Sequence, residues 1–146
     1  MTRPDSHAWL AAKTQGDQAE LAIAGWFRGQ GYLVAKTVGA TAASDLLVQT
    51  QVEVKHDLLA ESSGRVAIEI SYRGHPSGLT TSQAAWWAIV VGREVFLLKA
   101  DVLRECLRIG KYPTCFGGDN KSSGLVLLPI AVLRGLKQAR VISLSE

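Results

Sequence analysis

Three side chains in one short stretch, Asp45, Glu53 and Lys55, have the types and spacing to do chemistry together. Glu53 and Lys55 sit two apart in the alternating run Gln51-Val52-Glu53-Val54-Lys55-His56. On a strand both face one side of the sheet, and Val52 and Val54 face the other, toward a core. Asp45 opens the preceding run Asp45-Leu46-Leu47-Val48, and Gln49-Thr50 reads as a tight turn. A hairpin of these two strands would bring Asp45 and Glu53 together at one end. Neighbouring carboxylates repel unless a cation neutralises them. A hard divalent ion such as Mg²⁺ does so through oxygen ligands. Lys55 adds a fixed positive charge, suited to a phosphate or to activating a water.

The elements that position this set can be read along the chain. Residues 1–13, with Pro4, read as a loose arm before a single domain over 14–146. Thr14 or Asp17 can cap a helix, and Asp17 with Glu20 has capping-box spacing. Leu21, Ile23, Ala24, Trp26 and Phe27 recur at helical intervals, with Leu21, Ile23 and Ala24 facing inward and Gly29 and Gly31 ending the helix. Strands are expected over 32–38, 45–48 and 51–56, with a small-residue turn at 39–44. Residues 65–72 alternate again, with Val66, Ile68 and Ile70 on one face and Ala67, Glu69 and Ser71 on the other. A Gly/Pro loop covers 73–79, and a short helix is expected from Thr80 to Trp86. Apolar strands at 88–91 and 95–98 flank the turn Gly92-Arg93-Glu94. A helix over 101–109, a Gly-rich loop over 110–124, a strand at 125–128, a short helix over 129–136 and a strand at 140–144 complete the chain. Strands joined by short turns, with helices before and after them, define an α/β layer fold of α+β character with a mixed sheet.

Further candidates lie around this frame. Glu20 falls on the first helix, directly before the strands. Glu69 reads as a solvent-facing strand residue or as an extra acidic ligand. His56 points away from the face of Lys55 by alternation. Arg73, His75, Ser77, Thr80 and Thr81 cluster at an expected helix start, where backbone amides attract phosphate. Lys111 and Lys121 bracket a loop that could form a second clamp on a polyanion; the plainer reading is a surface loop. Of the adjacent Trp86 and Trp87, one belongs in the core and the other, if exposed, is expected to be an interface anchor rather than a base-stacking platform.

Composition narrows the classes. The 146 residues are 47% apolar and 20% charged, which fits one folded domain and argues against disorder. Sixteen Lys and Arg against thirteen Asp and Glu give a net charge of +3, with the basic excess after residue 98. Residues 1–13 lack the apolar core of a signal peptide, and no apolar run reaches the ~18 residues of a membrane span. Cys106 and Cys115 match no zinc spacing and read as ordinary thiols of a reducing cytoplasm. No Walker, GxGxxG or GxSxG motif is present.

The order helix with Glu20, then Ser44-Asp45, then Glu53-Val54-Lys55 resembles the PD-(D/E)XK nuclease superfamily over residues 14–92. Ser44 stands where the name-giving Pro would be. Within that superfamily the chain looks most like the Holliday junction resolvases of archaea and some phages. The stretch VAIEISYRGHPSGLTTSQAAWWAIV is also similar to small phage nucleases. The resemblance implies a restriction-endonuclease-like core, a mixed central sheet flanked by helices. It implies Mg²⁺, with Mn²⁺ as a substitute, held by Asp45, Glu53 and the Val54 carbonyl. Glu20 would complete the cluster or bind through water, and Lys55 would orient or help deprotonate the attacking water. It further implies a metal-dependent, structure-selective DNA endonuclease that acts on four-way junctions as a homodimer. A phage-encoded protein of a host cytoplasm fits that picture. A general phage or restriction-type nuclease on linear, nicked or flap DNA is the alternative, as is a non-catalytic nucleic-acid-binding module of the same fold.

Overall fold

The computed structural model describes residues 6–38 and 44–144. The expected turn at 39–44 therefore lies, up to residue 43, outside the described residues. The chain divides into two compact units, residues 1–50 and 51–146. Each has mixed α and β structure.

The first unit is a helix against a two-stranded hairpin. Helix α1 runs from Ser6 to Gly29, so residues 6–13 are helical rather than a loose arm. Thr14 Oγ1 donates to the Leu10 carbonyl at 2.9 Å, and Lys13 pairs with Asp17 one turn on at 3.2 Å, a pair that supports this early part. Strands β1 (Leu33–Lys36) and β2 (Leu46–Gln49) pair antiparallel, with Lys36 opposite Leu46 and Leu33 opposite Gln49. The less exposed stripe of α1 is Asp17, Glu20, Ala24 and Phe27, spaced three and four apart as one helical face requires. Ala24 is buried, but Leu21, Ile23 and Trp26 are exposed, against the expectation that Leu21 and Ile23 face inward. A narrow hairpin can cover only one stripe, and those residues lie round the helix from it. Phe27 meets Trp26 and Tyr32 edge-on at 5.0 and 5.7 Å between ring centroids.

The second unit holds the core between two four-stranded sheets. The first sheet has the order β10-β7-β6-β3, built from β3 (Val52–His56), β6 (Trp86–Val91), β7 (Glu94–Lys99) and β10 (Arg140–Ser143). The second has the order β5-β4-β9-β8, from β4 (Arg65–Tyr72), β5 (His75–Pro76), β8 (Thr114–Gly117) and β9 (Ser123–Pro129). Helices α2 (Ala60–Ser63), α3 (Ala100–Ile109) and α4 (Ile130–Gly135) connect them. Val66 and Ile68 of β4, Trp87 and Ile89 of β6, Phe96 and Leu98 of β7, Leu128 of β9, and Leu103 and Leu133 from α3 and α4 form one buried cluster. Strand alternation places each of these strand pairs on one face.

Two turns are set by backbone sign. Gly92 at φ 57 opens the two-residue β6–β7 turn, where a primed turn needs a positive φ. Arg73 at φ 48 and Gly74 at φ 79 form the β4–β5 turn, both in the left-handed region that a type I′ turn demands.

Two sequence expectations fail here. Strand β2 pairs with β1, and β3 pairs in parallel with β6, so the tight β2–β3 hairpin does not form. The apolar run 86–91 offers β3 a buried partner on its core side, with Val52 opposite Trp86 and His56 opposite Val90. The short helix from Thr80 to Trp86 is also absent. Gly78–Thr80 makes a single 3-10 turn, and β6 starts at Trp86. Arg104 of α3 holds that segment extended, donating to the Leu79 carbonyl at 3.2 and 3.1 Å and to the Ser82 carbonyl at 2.6 Å. The loop over 110–124 likewise contains β8 and a 3-10 turn, Asp119–Lys121.

Candidate functional site

The best-formed constellation lies on β3. Glu53 and Lys55 share the face that Trp87 and Ile89 bury into the core, because Glu53 is in register with Trp87 and Lys55 with Ile89. The Lys55 ammonium lies 2.9 Å from Glu53 Oε1 and 5.8 Å from the Trp87 ring centroid. Their side chains keep 46% and 40% exposure, so the pair is reachable from solvent while its floor is closed. Val52 and Val54 occupy the opposite face and are exposed instead of facing a core. The core of this unit is on the other side of the sheet.

The ladder also orients the Val54 carbonyl. Trp86 N–H donates to the Gln51 carbonyl, and Asp57 N–H to the Val90 carbonyl, both at 3.2 Å. Residues 51 and 57 therefore turn their backbone groups toward β6, and so do 53 and 55 by alternation. Residues 52, 54 and 56 turn theirs the other way, where no described strand of the sheet follows. The Val54 carbonyl therefore points toward that edge, one residue on from Glu53. His56 is exposed on the valine face, away from Lys55, as expected.

Glu20 and Asp45 belong to the first unit. Glu20 Oε2 lies 2.7 Å from Lys36 Nζ, and Asp17 Oδ1 lies 3.4 Å from the same ammonium. Lys36 faces α1 because it alternates with Ala35 on β1. It is a residue that sequence reasoning missed. Two acids three apart on a helix, followed by a strand lysine, were the available signal. The close Glu20 carboxylate raises the Lys36 pKa, with smaller help from Asp17. Asp17 is held low, first by its hydrogen bond from Lys13 and then by the charge of Lys13 and by Lys36. Asp45 stands just before β2, exposed, and its carbonyl accepts the Thr37 N–H at 2.9 Å. Lys36 is opposite Leu46, so Glu20 and Asp45 serve the same end of the hairpin.

Among the described residues, no three His, Cys, Asp or Glu side chains group closely enough to hold a metal ion. The structure thus brings Glu53 and Lys55 together in one unit, and Glu20 with Lys36 in the other. Within the second unit, Glu53 and the Val54 carbonyl offer oxygen donors, the kind a hard divalent cation takes.

Glu69 is neither solvent-facing nor open. Its Oε1 accepts from Ser77 Oγ at 2.9 Å and its Oε2 from Ser123 Oγ at 2.8 Å, and Ser123 is buried. The loop after β4 is fastened in the same manner, with Thr80 Oγ1 donating to the Ile70 carbonyl at 2.8 Å. Ser77 and Thr80 have thus committed their hydroxyl protons within the fold. A β-carbon on Gly78, which has φ 56, would overlap the Glu69 carbonyl. Arg73, His75 and Thr81 remain exposed, as do Lys111 and Lys121 across the unit's second sheet and its 3-10 turn. The Arg73 guanidinium lies 5.3 Å from the Tyr72 ring centroid.

Asp57 also went unread in the sequence. Its carboxylate accepts the Leu59 N–H at 3.0 Å and the Ala67 N–H at 2.9 Å, tying the end of β3 to β4. Cys106 and Cys115 are both free thiols. No described helix is long and apolar enough to cross a membrane. Compared with family models, with curated proteins and with solved structures, the chain finds no match.

Proposed function

We propose that this chain is a metal-dependent DNA endonuclease that hydrolyses phosphodiesters. The observation that supports it most is on β3: a carboxylate and an ammonium side by side, with the ammonium over a buried tryptophan. Binding alone gains nothing from a carboxylate aimed where a phosphate would lie. Mg²⁺, or Mn²⁺ in its place, would supply Lewis acidity and a water activated at neutral pH. Glu53 and the Val54 carbonyl would hold the ion, and the family resemblance assigns the same role to Asp45 and Glu20. Lys55 would place its charge on a non-bridging phosphate oxygen and orient the attacking water. Trp87 lies beneath Lys55, with the ammonium 5.8 Å from the ring centroid.

The narrower reading is a Holliday junction resolvase, which rests on the family resemblance. Two symmetric cuts need two sites related by a two-fold axis, hence a homodimer on a four-way junction. Arg73 supports a DNA contact, because a bulky cation occupies a turn position that favours Asn or Gly.

Single substitutions Asp45→Asn, Glu53→Gln and Lys55→Ala test the proposal in a four-way-junction cleavage assay with Mg²⁺ or Mn²⁺. Each is expected to slow cutting by about a hundredfold or more while leaving junction binding in place. Undiminished cutting by all three overturns the endonuclease reading. Equal cutting of junction and linear duplex leaves a nuclease and removes the resolvase label. A wild-type protein that binds DNA and never cuts it is a binding module.

A further inference from the structure

We propose that a cleft around Trp86 binds unpaired nucleotides of a nucleic-acid strand, stacking a base on the indole and pairing its phosphates with Lys137 and Arg140. This goes beyond the endonuclease reading and does not depend on it. The cleft has a volume of about 560 Å³ and is lined by Trp86, Leu97, Lys137, Gln138, Ala139 and Arg140. That size lies within the about 300–1,000 Å³ of small-ligand sites.

Its chemistry follows from the register. Trp86 is opposite Lys99 on β7, and Leu97 is opposite Arg140 on β10, so all four share one sheet face. This is the face opposite Glu53 and Lys55, since Trp86 alternates with Trp87. Trp86 is half-buried, which gives it a fixed ring with accessible surface. The Lys99 ammonium lies 6.0 Å from that ring's centroid. Lys137 and Arg140 are exposed at the rim, and among the described residues no carboxylate lines the cleft. A fixed indole bordered by cations is how proteins hold single strands without sequence preference. A duplex offers its bases only as edges, so the indole selects an unpaired base. The site would grip single-stranded ends or the opened bases of a branched substrate.

The test is fluorescence anisotropy with a labelled dT12 oligonucleotide in EDTA, where no metal-dependent cleavage occurs. The K137S/R140S double variant changes only exposed residues. It is expected to bind at least tenfold more weakly and to lower the slope of log K against log salt by about 1.4, two phosphates at about 0.7 each. W86L is expected to weaken binding by about tenfold, with folding checked by thermal melting. Unchanged dT12 affinity in K137S/R140S overturns the proposal. So does loss in K137S/R140S with full affinity in a folded W86L, which would reduce the cleft to a charge patch, and so does equal displacement by inorganic polyphosphate from wild type and W86L. Because cleavage is not read, failure here leaves the endonuclease reading standing, and loss of cleavage in the Glu53 variant leaves this one standing.

Discussion

Lys55 Nζ sits 2.9 Å from Glu53 Oε1, two residues back on the same strand, and 5.8 Å from the centre of the Trp87 ring. An exposed ion pair of this kind contributes at most about 1 kcal/mol to stability, and the ring contact a similar amount. Stability alone is therefore a weak reason for the arrangement. Lys55→Met is expected to leave the melting temperature nearly unchanged and to cut junction cleavage by about a hundredfold or more. Trp87 is 1% exposed, so Trp87→Ala should show the opposite profile, losing about 3–5 kcal/mol in denaturant unfolding. A Lys55→Met protein that melts early and still cuts at the wild-type rate would make the lysine a structural residue.

Glu69 distinguishes a ligand from a brace. Glu69→Ala would strand the hydroxyls of Ser77 and buried Ser123, a cost of about 1–3 kcal/mol. Cleavage assayed well below the melting transition should persist. Loss of cleavage without loss of stability would instead place Glu69 among the metal ligands.

Arg73 at φ 48 carries a strain that Asn avoids. Arg73→Asn is expected to stabilise the fold by about 1 kcal/mol or less while weakening junction binding several-fold. Thermal melting and anisotropy read the two effects separately. Unchanged binding would remove Arg73 from the DNA contact set.

Lys36 joins Asp17 and Glu20, and its pH signature has two arms. Asp17 titrates below its usual 3.8, so its share of stability is complete above that value and is lost as pH falls through the lowered one. Lys36 titrates above its usual 10.5, so its share is complete below that value and fades as pH rises through the raised one. Lys36→Met should abolish the alkaline arm. It should also move the Asp17 midpoint upward only part of the way, because Lys13 still holds it down. Carboxyl ¹³C NMR titration reads the midpoint directly; an unmoved Asp17 would show that Lys36 does not reach it in solution.

Much of the second unit was legible from patterning. Strand β4 matches its expected limits, and α3, α4, β6, β7 and β10 fall within a few residues of theirs, because each has a clear period or a glycine at its turn. The shared face of Glu53 and Lys55 followed from alternation alone. The partner of β3 did not, since a parallel pairing across residues 57–85 leaves no local mark, whereas Gln49-Thr50 looks like a hairpin turn. The expected helix at Thr80 failed for a similar reason: Arg104, more than twenty residues on, decides that segment. Lys36 and Asp57 act through contacts that only the folded chain assembles.

The sheet order β10-β7-β6-β3 has a consequence for the time course of assembly. The β6–β7 hairpin closes through two residues and can form within about 1–10 μs. Strand β3 leaves the ribosome first yet must wait for residues 57–85 to be made before its partner exists. Its ladder is a non-local step, as are those of β4 with β9 and β7 with β10. The Glu53–Lys55 pair thus reaches its floor only once β6, which carries Trp87, has been made.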